Sequence, residues 1–299
     1  MSEPRVGFVG LGAMGEPMVR SLRRAGFAVA ACAHRRRDAL ERLRAECAVT
    51  EAANPREVAA TSGVVAICVP DAPEVEDAIF TPDGIAAGAR PGTLVIDLST
   101  ISPVASRRFA ERLRERGIAF VDAPVSGGPA RAANGTLAIM AGGSEEDFAR
   151  AEPVLRAMGT PHHLGPVGMG ETVKLVNQII IAGVMIANAE GLAFARRAGA
   201  DLDRVRGVLA SATASNYLLE HWLPKTWLAG RFDGGFALDL LRKDLAAALD
   251  AARTDGYPMP ATALAYQLYT ARSAMGDGAL DYSAVAKSYE WNRGDEAPA

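Results

Sequence analysis

The chain has 299 residues, of which 49% are hydrophobic and 22% are charged, and its formal net charge is −3. These values are typical of an ordinary soluble globular protein with room for two domains. Because acidic and basic residues are interspersed and nearly balanced, no overall field would attract nucleic acid or an anionic membrane. We see no apolar run near the roughly 18 residues of a membrane span, so no membrane partner is expected.

The cysteines point to the same kind of protein. Cys32, Cys47 and Cys68 lie in apolar or helical surroundings and form no CxxC pair. We interpret them as reduced, structural thiols, which suit a reducing cytoplasm.

A glycine-rich turn follows the first apolar run, in the segment VGFVGLGAMGEPM from Val6 to Met18. The run predicts a strand, and the helical period of Pro17 to Ala25 predicts a helix behind the turn. In such a turn Gly10 permits the bend, Gly12 lets the backbone approach a pyrophosphate, and Gly15 lets the helix pack on the strand. A turn that merely tolerates glycine is the alternative. The predicted dinucleotide-binding residues here are Gly10, Leu11, Gly12, Ala13 and Met14.

The second predicted strand, Phe27 to Ala33, ends where the adenosine ribose of such a cofactor would lie. An NAD site usually offers Asp or Glu there, but this chain offers His34-Arg35-Arg36-Arg37. Guanidinium groups bind a 2′-phosphate by charge-assisted hydrogen bonds. NADP(H) is therefore favoured over NAD. Alternatively the arginines form a solvated face, and Asp38 reaches the ribose.

Further strands alternate with helical segments, a pattern that indicates a parallel, doubly wound sheet. The strands are predicted at residues 63–69, 93–98, 119–121 and 137–141. The segment GPVGMG, from Gly165 to Gly170, then looks like a hinge. Helical character from Glu171 to about Ala198, followed by helices alone to about Tyr289, predicts a second, all-α domain. We place the domains at residues 1–168 and 169–299.

Ligands of open α/β sheets bind outside the carboxyl ends of the strands. Three segments follow predicted strands there and are expected to line the ligand site. Val69-Pro70 is assigned to the cofactor, Thr100 lies in the second segment, and Ser126-Gly127-Gly128 exposes N–H groups able to hold a carboxylate. An ordinary flexible loop is an equal alternative for the last segment.

Two lysines accompany polar neighbours in the helical part. Lys174, Asn177 and Gln178 share one helix face at the start of an otherwise apolar helix. A partly desolvated lysine beside a cofactor exchanges protons near neutrality, although most helical lysines are solvated. Lys243-Asp244 poses the same ambiguity. His162-His163 lies in a Pro/Gly-rich turn without partner ligands, so no metal site is expected.

Taken together, these motifs resemble the β-hydroxyacid dehydrogenase family over essentially the whole chain. The motifs that carry the resemblance are FVGLGAMGEPM, DLSTISP, DAPVSGGPARAANGTLAIMAGG, GMGETVKLVNQ and LLRKDLAAALD. The resemblance implies an N-terminal Rossmann domain with a doubly wound parallel sheet, joined by a long interdomain helix to an all-α domain. It also implies an NAD(P)-dependent oxidoreductase and a homodimer or homotetramer.

Residue roles follow from the resemblance by position. Lys174 would be the catalytic lysine, which protonates the carbonyl oxygen as hydride arrives. Ser126, Gly127 and Gly128 would bind the carboxylate of a small substrate, which Asn177 and Gln178 would orient. Thr100 would lie beside the nicotinamide, and Lys243, supported by Asp244, would approach the cofactor.

The chain departs from the family pattern at three positions. Gln178 stands where many members have Asn, and the amide keeps its role with a longer reach. Ile181 stands where the decarboxylating branch has an acidic residue, so decarboxylation is not expected. His34 stands where NAD-using members have Asp, so the cofactor choice of those members is not carried over to this chain.

The resemblance favours reduction of a small semialdehyde, with tartronate semialdehyde as the first candidate. Dehydrogenation of 3-hydroxyisobutyrate and reduction of succinic semialdehyde or glyoxylate remain alternatives, and imine reduction stands behind them. A regulator that binds the cofactor without chemistry is an alternative of a different class. Such a regulator could dispense with Lys174.

Overall fold

The computed structural model describes residues 5–34 and 37–290. Its contacts divide the chain into two units, with the boundary between Leu175 and Val176. The first unit contains a six-stranded sheet of order β3-β2-β1-β4-β5-β6, in which every pair is parallel. This order is that of a doubly wound dinucleotide-binding sheet and confirms the prediction. The strands are β1 (Arg5–Val9), β2 (Ala28–Cys32), β3 (Thr50–Glu51), β4 (Val64–Ile67), β5 (Leu94–Asp97) and β6 (Ala119–Asp122).

Apolar residues on both faces of the strands explain why this sheet is covered on two sides. Successive side chains of a strand point to opposite faces. Accordingly, Leu94 and Ile96 of β5 belong to one buried cluster and Val95 belongs to another. The helices of this layer are α1 (Gly15–Arg24), α2 (Asp38–Cys47), α3 (Pro55–Ala60), α4 (Ala72–Phe80), α5 (Ile85–Gly88) and α6 (Pro103–Arg114).

Side-chain caps and prolines fix where several of these helices begin. Asn54, Asp71 and Ser102 each accept a hydrogen bond from a backbone N–H at the start of α3, α4 and α6. Each of these helices has a proline at its first or second position, where the missing N–H would have no partner within the helix.

A second, smaller sheet corrects one prediction. Residues 137–141 do form a strand, but it lies outside the parallel sheet, in a three-stranded sheet of order β7-β8-β9. Its β7–β8 pair is antiparallel and its β8–β9 pair is parallel. Alternation within one strand does not specify its partners, which is why the sequence misassigned it. The elements of this region are β7 (Val125–Ser126), α7 (Gly128–Asn134), β8 (Leu137–Ala141), α8 (Glu145–Arg156) and β9 (Gly159–His163).

The prediction of a turn at the histidine pair is also wrong, because His162 and His163 lie in β9. Pro161 obscures this strand, but β9 is at the edge of its sheet, where a missing N–H is tolerated. His163 donates through Nε2 to the Gly143 carbonyl oxygen at 2.8 Å and stacks on Phe148. Among the described residues, no cluster of three or more His, Cys, Asp or Glu could hold a metal ion.

The second unit is built of helices, as predicted. The helix α9 (Met169–Arg197) crosses the boundary between the units. In the second unit, Ala182, Met185 and Ala189 of α9 are fully buried in the core of that unit. The other helices are α10 (Leu202–Leu209), α11 (Leu238–Thr254) and α12 (Pro260–Arg272), and short helical turns span Leu218–Trp222, Leu223–Lys225, Trp227–Ala229, Ser273–Asp277 and Tyr282–Tyr289.

The length and composition of α9 are those of a membrane span, so the expectation of no such apolar run is too strict. Its most apolar 18-residue window has a mean hydropathy of 1.6, and 28% of that window is buried. A core helix of a globular protein has the same composition, and α9 does supply core residues to the second unit. Part of its remaining apolar surface is exposed, at Ile180 and Phe194.

Candidate active site

The glycine turn between β1 and α1 is shaped by two crowded glycines and one open glycine. Gly10 has φ 100°, and a Cβ there would stand 2.1 Å from the carbonyl oxygen of Cys68. A Cβ on Gly15 would collide with the Gly10 carbonyl oxygen. By contrast, no heavy atom of the described chain lies within 4 Å of a Cβ on Gly12. The crowded pair therefore fixes the turn, and Gly12 leaves backbone accessible from outside.

The start of α1 is suited to an anion. Met14 occupies the cap position and makes no side-chain hydrogen bond to the first turn of the helix. Leu11 and Met14 pack against the core, while Gly12 and Ala13 are exposed. Uncapped N–H groups at a helix start attract negative charge. The geometry of this turn thus fits the pyrophosphate of a dinucleotide.

The end of β2 is described only in part. His34 is exposed just after the strand, whereas Arg35 and Arg36 lie outside the described residues. Arg37 is engaged elsewhere, because its guanidinium pairs with Glu51 at 2.5 Å and with Glu41 at 3.7 Å. Of the described residues here, His34 alone is a predicted cofactor ligand.

One serine joins the loops that follow β4 and β5. The Oγ atom of Ser99 accepts a hydrogen bond of 3.0 Å from the Val69 N–H. The Ser99 N–H in turn donates to Asp97 Oδ1 at 3.0 Å. The structure therefore brings Val69 and its neighbour Pro70 together with the loop that carries Thr100, which is half-buried.

The two thiols near this edge of the sheet are expected to stay protonated at neutral pH. Burial raises the pKa of Cys68 to about 12 and the pKa of Cys32 to about 11. Both cysteines, like Cys47, are free. A thiol that stays protonated at neutral pH is a poor nucleophile.

The Ser126-Gly127-Gly128 segment joins β7 to α7. Ser126 pairs with Ala138 in the small sheet, which fixes the start of the segment. Gly127 has φ 138° and Gly128 has φ 70°, and both conformations favour glycine. A Cβ on Gly128 would have no described atom within 4 Å, so its backbone is open to a ligand.

Lys174 is on the second turn of α9, within the first unit. Its side chain is only 7% exposed, and Glu171, one turn earlier, is fully buried. The start of this helix is held by Asp122 at the end of β6. The Asp122 carboxylate accepts hydrogen bonds from the N–H groups of Gly168 at 2.7 Å and Glu171 at 2.9 Å.

The predicted polar residues of the second unit form one hydrogen-bonded chain. Gln178 donates to Asp244 Oδ2 at 2.7 Å, and its own carbonyl oxygen accepts from Asn177 at 2.9 Å. Asp244 also pairs with Lys243 at 2.9 Å. Gln178 and Asp244 are buried and Asn177 is half-buried.

Sequence reasoning did not single out Asp122 and Glu171, which are buried at the end of β6 and the start of α9. Asp122 stands in the quoted motif DAPVSGG, and Glu171 stands three residues before Lys174. A usable signal was the pair of glycines at positions 142 and 170, where a Cβ would lie within 3 Å of the Asp122 carboxylate. Two such glycines indicate a crowded, buried group between them.

Comparison with known proteins identifies the fold and its chemistry. Residues 5–175 match the family described as the NAD binding domain of 6-phosphogluconate dehydrogenase. Residues 168–289 match the family described as NAD-binding of NADP-dependent 3-hydroxyisobutyrate dehydrogenase. The chain belongs to the β-hydroxyacid dehydrogenase family.

Several members of the β-hydroxyacid dehydrogenase family are similar to this chain over almost its full length. 2-Hydroxy-3-oxopropionate reductase of Escherichia coli (strain K12) is 38% identical over 96% of this chain and 97% of its own length. 2-(Hydroxymethyl)glutarate dehydrogenase of Eubacterium barkeri is 37% identical over 96% and 95%, respectively. The solved structure of Mycobacterium tuberculosis 3-hydroxyisobutyrate dehydrogenase with L-serine superposes with a TM-score of 0.88, at 33% identity, over 97% and 100%.

As a β-hydroxyacid dehydrogenase, the chain is an NAD(P)-dependent oxidoreductase that acts on CH–OH groups. The glycine turn fits this cofactor, because Gly12 is open and the start of α1 is uncapped. The relatives act on different hydroxy acids, so membership of the family does not by itself specify the substrate.

Proposed function

We propose that this chain reduces tartronate semialdehyde, which is 2-hydroxy-3-oxopropionate, to glycerate with NADPH as the donor. The observation that carries the proposal is the buried Lys174 near the start of α9. Lysines held out of water serve as proton donors and acceptors in enzymes. The relative at 38% identity from Escherichia coli is named for this substrate, which supports it over other semialdehydes.

Each part of the reaction has a candidate residue. A bound nicotinamide cofactor supplies the hydride to the aldehyde carbon. Lys174 donates a proton to the aldehyde oxygen, so that the C=O becomes CH–OH, and takes that proton back in the reverse direction. The open backbone and hydroxyl of Ser126-Gly127-Gly128 bind the carboxylate, and Thr100 lies beside the nicotinamide.

The residues of the second unit have supporting roles in this proposal. Asn177 orients the hydroxyl or carboxylate of the substrate. Gln178 orients the substrate with it and is itself held by hydrogen bonds with Asn177 and Asp244. Lys243 approaches the cofactor and is held by Asp244.

NADPH is proposed over NADH because no carboxylate follows β2 at His34, Arg35 and Arg36. Arginines at this place bind a 2′-phosphate, and a carboxylate would repel it. Three free cysteines suit the reducing cytoplasm in which we place the protein.

The test is a set of initial rates for NADPH and NADH oxidation with tartronate semialdehyde, succinic semialdehyde and glyoxylate. Oxidation of 3-hydroxyisobutyrate with NADP⁺ completes the set. We expect the largest kcat/KM for tartronate semialdehyde with NADPH. A larger value for 3-hydroxyisobutyrate, the substrate in the name of a structural relative, would replace the proposed substrate. Tight NADPH binding without turnover of any substrate would favour a regulator instead.

We also propose that the chain forms a homodimer or homotetramer through an apolar surface of the second unit. Phe194 of α9 is 76% exposed and Leu264 of α12 is 63% exposed. Beside them, Gly183 and Gly191 have open space where a Cβ would stand. A two-fold axis would let Phe194 of each copy fill the glycine hollow of the other. Light scattering of the wild type and of Phe194→Glu tests this, since only the variant should be monomeric.

A further inference from the structure

The side chain of Asp122 fastens the end of β6 to the start of α9. Its two carboxylate oxygens accept from different N–H groups, Oδ1 from Gly168 and Oδ2 from Glu171. The backbone of Asp122 also pairs with Gly142, at 2.7 and 3.0 Å. Because Gly142 and Gly170 lack Cβ atoms, both backbones pass within contact distance of the carboxylate. The first turn of α9 therefore has one fixed position relative to the sheet.

Burying the Asp122 carboxylate in this way costs free energy of folding. The carboxylate is fully buried, and burial raises the pKa of Asp122 to about 6, against the lowering effect of its N–H donors. Titratable or charged residues lie on several neighbouring elements: Asp97 is its register partner on β5, Arg107 of α6 lies beside Gly168, and His163 of β9 is bonded to Gly143. Glu171 and Lys174 share α9 with its N–H donors.

The helix transmits the position of its first turn to Lys174. Glu171 and Lys174 are three residues apart, which is less than one turn of 3.6 residues. A hydrogen-bonded helix moves as a rigid element, so displacement of the Glu171 N–H displaces the Lys174 backbone as well. Proton transfer needs the donor within hydrogen-bond distance of the reacting oxygen.

We propose that Asp122 is a positioning residue: it fixes the first turn of α9 and thereby sets the place of the Lys174 ammonium. This inference rests on the proposed catalytic role of Lys174. A buried ionised carboxylate lowers the stability of the fold, but its two oxygens are both strong acceptors. It can therefore hold the N–H groups of Gly168 and Glu171 at the same time. A neutral carboxyl or an amide offers one good acceptor fewer.

The test compares Asp122→Asn with Asp281→Asn. Asp281 is a matched control in the second unit, because it is 1% exposed and also accepts from two backbone N–H groups, those of Ser283 and Phe236. We expect Asp122→Asn to lower kcat about tenfold or more, since small misplacements of a reacting group are costly. The KM for NADPH should stay within about twofold, because the glycine turn is untouched. Asp281→Asn should lower Tm and leave kcat unchanged.

The pH profile separates positioning from a merely structural role. In the wild type, kcat should fall as pH decreases through about 6, where Asp122 gains a proton. In Asp122→Asn this acid limb should be absent, while in Asp281→Asn it should remain. A lowered Tm with an unchanged kcat and an unchanged acid limb in Asp122→Asn would overturn the proposal.

Hydrogen exchange of the wild-type chain tests the same contact without any substrate. Exchange in the peptide 168–175 should slow as the pH falls through about 6, after correction for the intrinsic pH dependence of exchange, because opening to solvent returns Asp122 to its ordinary pKa and protonation therefore favours the closed form. A peptide around Asp281 should show no such change. This measurement holds even if Asp122→Asn fails to fold. If the wild type turns over no substrate but the exchange result is as expected, the proposed function fails and the Asp122 contact stands. Unchanged protection of 168–175 across this pH range would overturn the positioning role.

Discussion

The side-chain amide of Gln178 donates a hydrogen bond of 2.7 Å to the carboxylate of Asp244, 66 residues later in the chain. Both side chains are buried, and Asp244 also pairs with Lys243. Asn177 and Gln178 of the motif KLVNQ and Lys243 and Asp244 of the motif RKDL thus form one polar network in the second unit. Such a network is stabilising only while each buried group keeps its partners.

Replacing Gln178 with Leu should therefore destabilise the chain by about 1–3 kcal/mol, since it removes a donor from a buried carboxylate. Replacing Asp244 with Leu should also destabilise it. The double variant should lose less than the sum of the two single losses, because the hydrogen bond between the two side chains is then lost only once. Urea denaturation of the four proteins measures this coupling, and additive losses would mean that the hydrogen bond contributes nothing.

Alanine substitutions in the glycine turn should separate folding from cofactor binding. Gly12→Ala should leave Tm nearly unchanged, because its Cβ has open space, but should weaken NADPH binding by about tenfold or more by blocking backbone approach to the pyrophosphate. Gly10→Ala should lower Tm because its Cβ would collide with the Cys68 carbonyl oxygen.

Gly26→Ala is the matched control for Gly10→Ala. Gly26 has φ 88° but no described atom near its Cβ position. Gly26→Ala should therefore lower the free energy of unfolding only through its unfavourable backbone conformation, by about 1 kcal/mol. This loss should be smaller than that of Gly10→Ala. Thermal unfolding and NADPH titration of the three variants give both quantities. Equal losses at Gly10 and Gly26 would contradict the steric explanation.

The stability of the chain should depend on pH through Asp122. Its pKa is raised in the fold, from 3.8 to about 6, so its favourable contribution is present below about 3.8 and is lost as the pH rises through about 6. The full difference corresponds to about 3 kcal/mol, as an upper value. Asp122→Asn removes this dependence. Between pH 4 and pH 8 the wild type should thus lose unfolding free energy relative to Asp122→Asn. A difference between the two proteins that stays constant over this range would contradict the raised pKa of Asp122.

The sequence predicted the parallel sheet and its glycine turn because both depend on local patterns. Gly10 and Gly15 are crowded by neighbours one turn or one strand away, so their spacing carries the information. The partners of β8 and the burial of Asp122 and Glu171 depend on distant contacts. A charged residue is expected at the surface, and nothing local distinguishes a buried one. The Gln178–Asp244 contact is likewise invisible before the second unit is folded.

Cofactor preference should depend on Arg35 and Arg36 and not on Arg37. Changing Arg35 and Arg36 to Ser should raise the KM for NADPH about tenfold or more, because charge-assisted hydrogen bonds to the 2′-phosphate are lost. The KM for NADH should change little. Arg37→Ser is the control, since Arg37 is paired with Glu51 and Glu41. Steady-state kinetics with both cofactors test this, and an equal effect in the control would show general electrostatics instead.

The role of Lys174 can be isolated from cofactor binding. Lys174→Ala removes the proposed proton donor, whereas the glycine turn and the end of β2 remain as they are. Acid catalysis by a positioned side chain contributes about 10²–10⁴-fold to a rate. NADPH binding, followed by fluorescence titration, should change by less than about threefold.

The most direct test of the central claim is the single-turnover rate of NADPH oxidation by tartronate semialdehyde in wild-type and Lys174→Ala proteins, both saturated with NADPH. We predict a fall of about 10²–10⁴-fold in the variant, with NADPH still bound. A variant that oxidises NADPH at the wild-type rate would contradict the assignment of Lys174 as the proton donor.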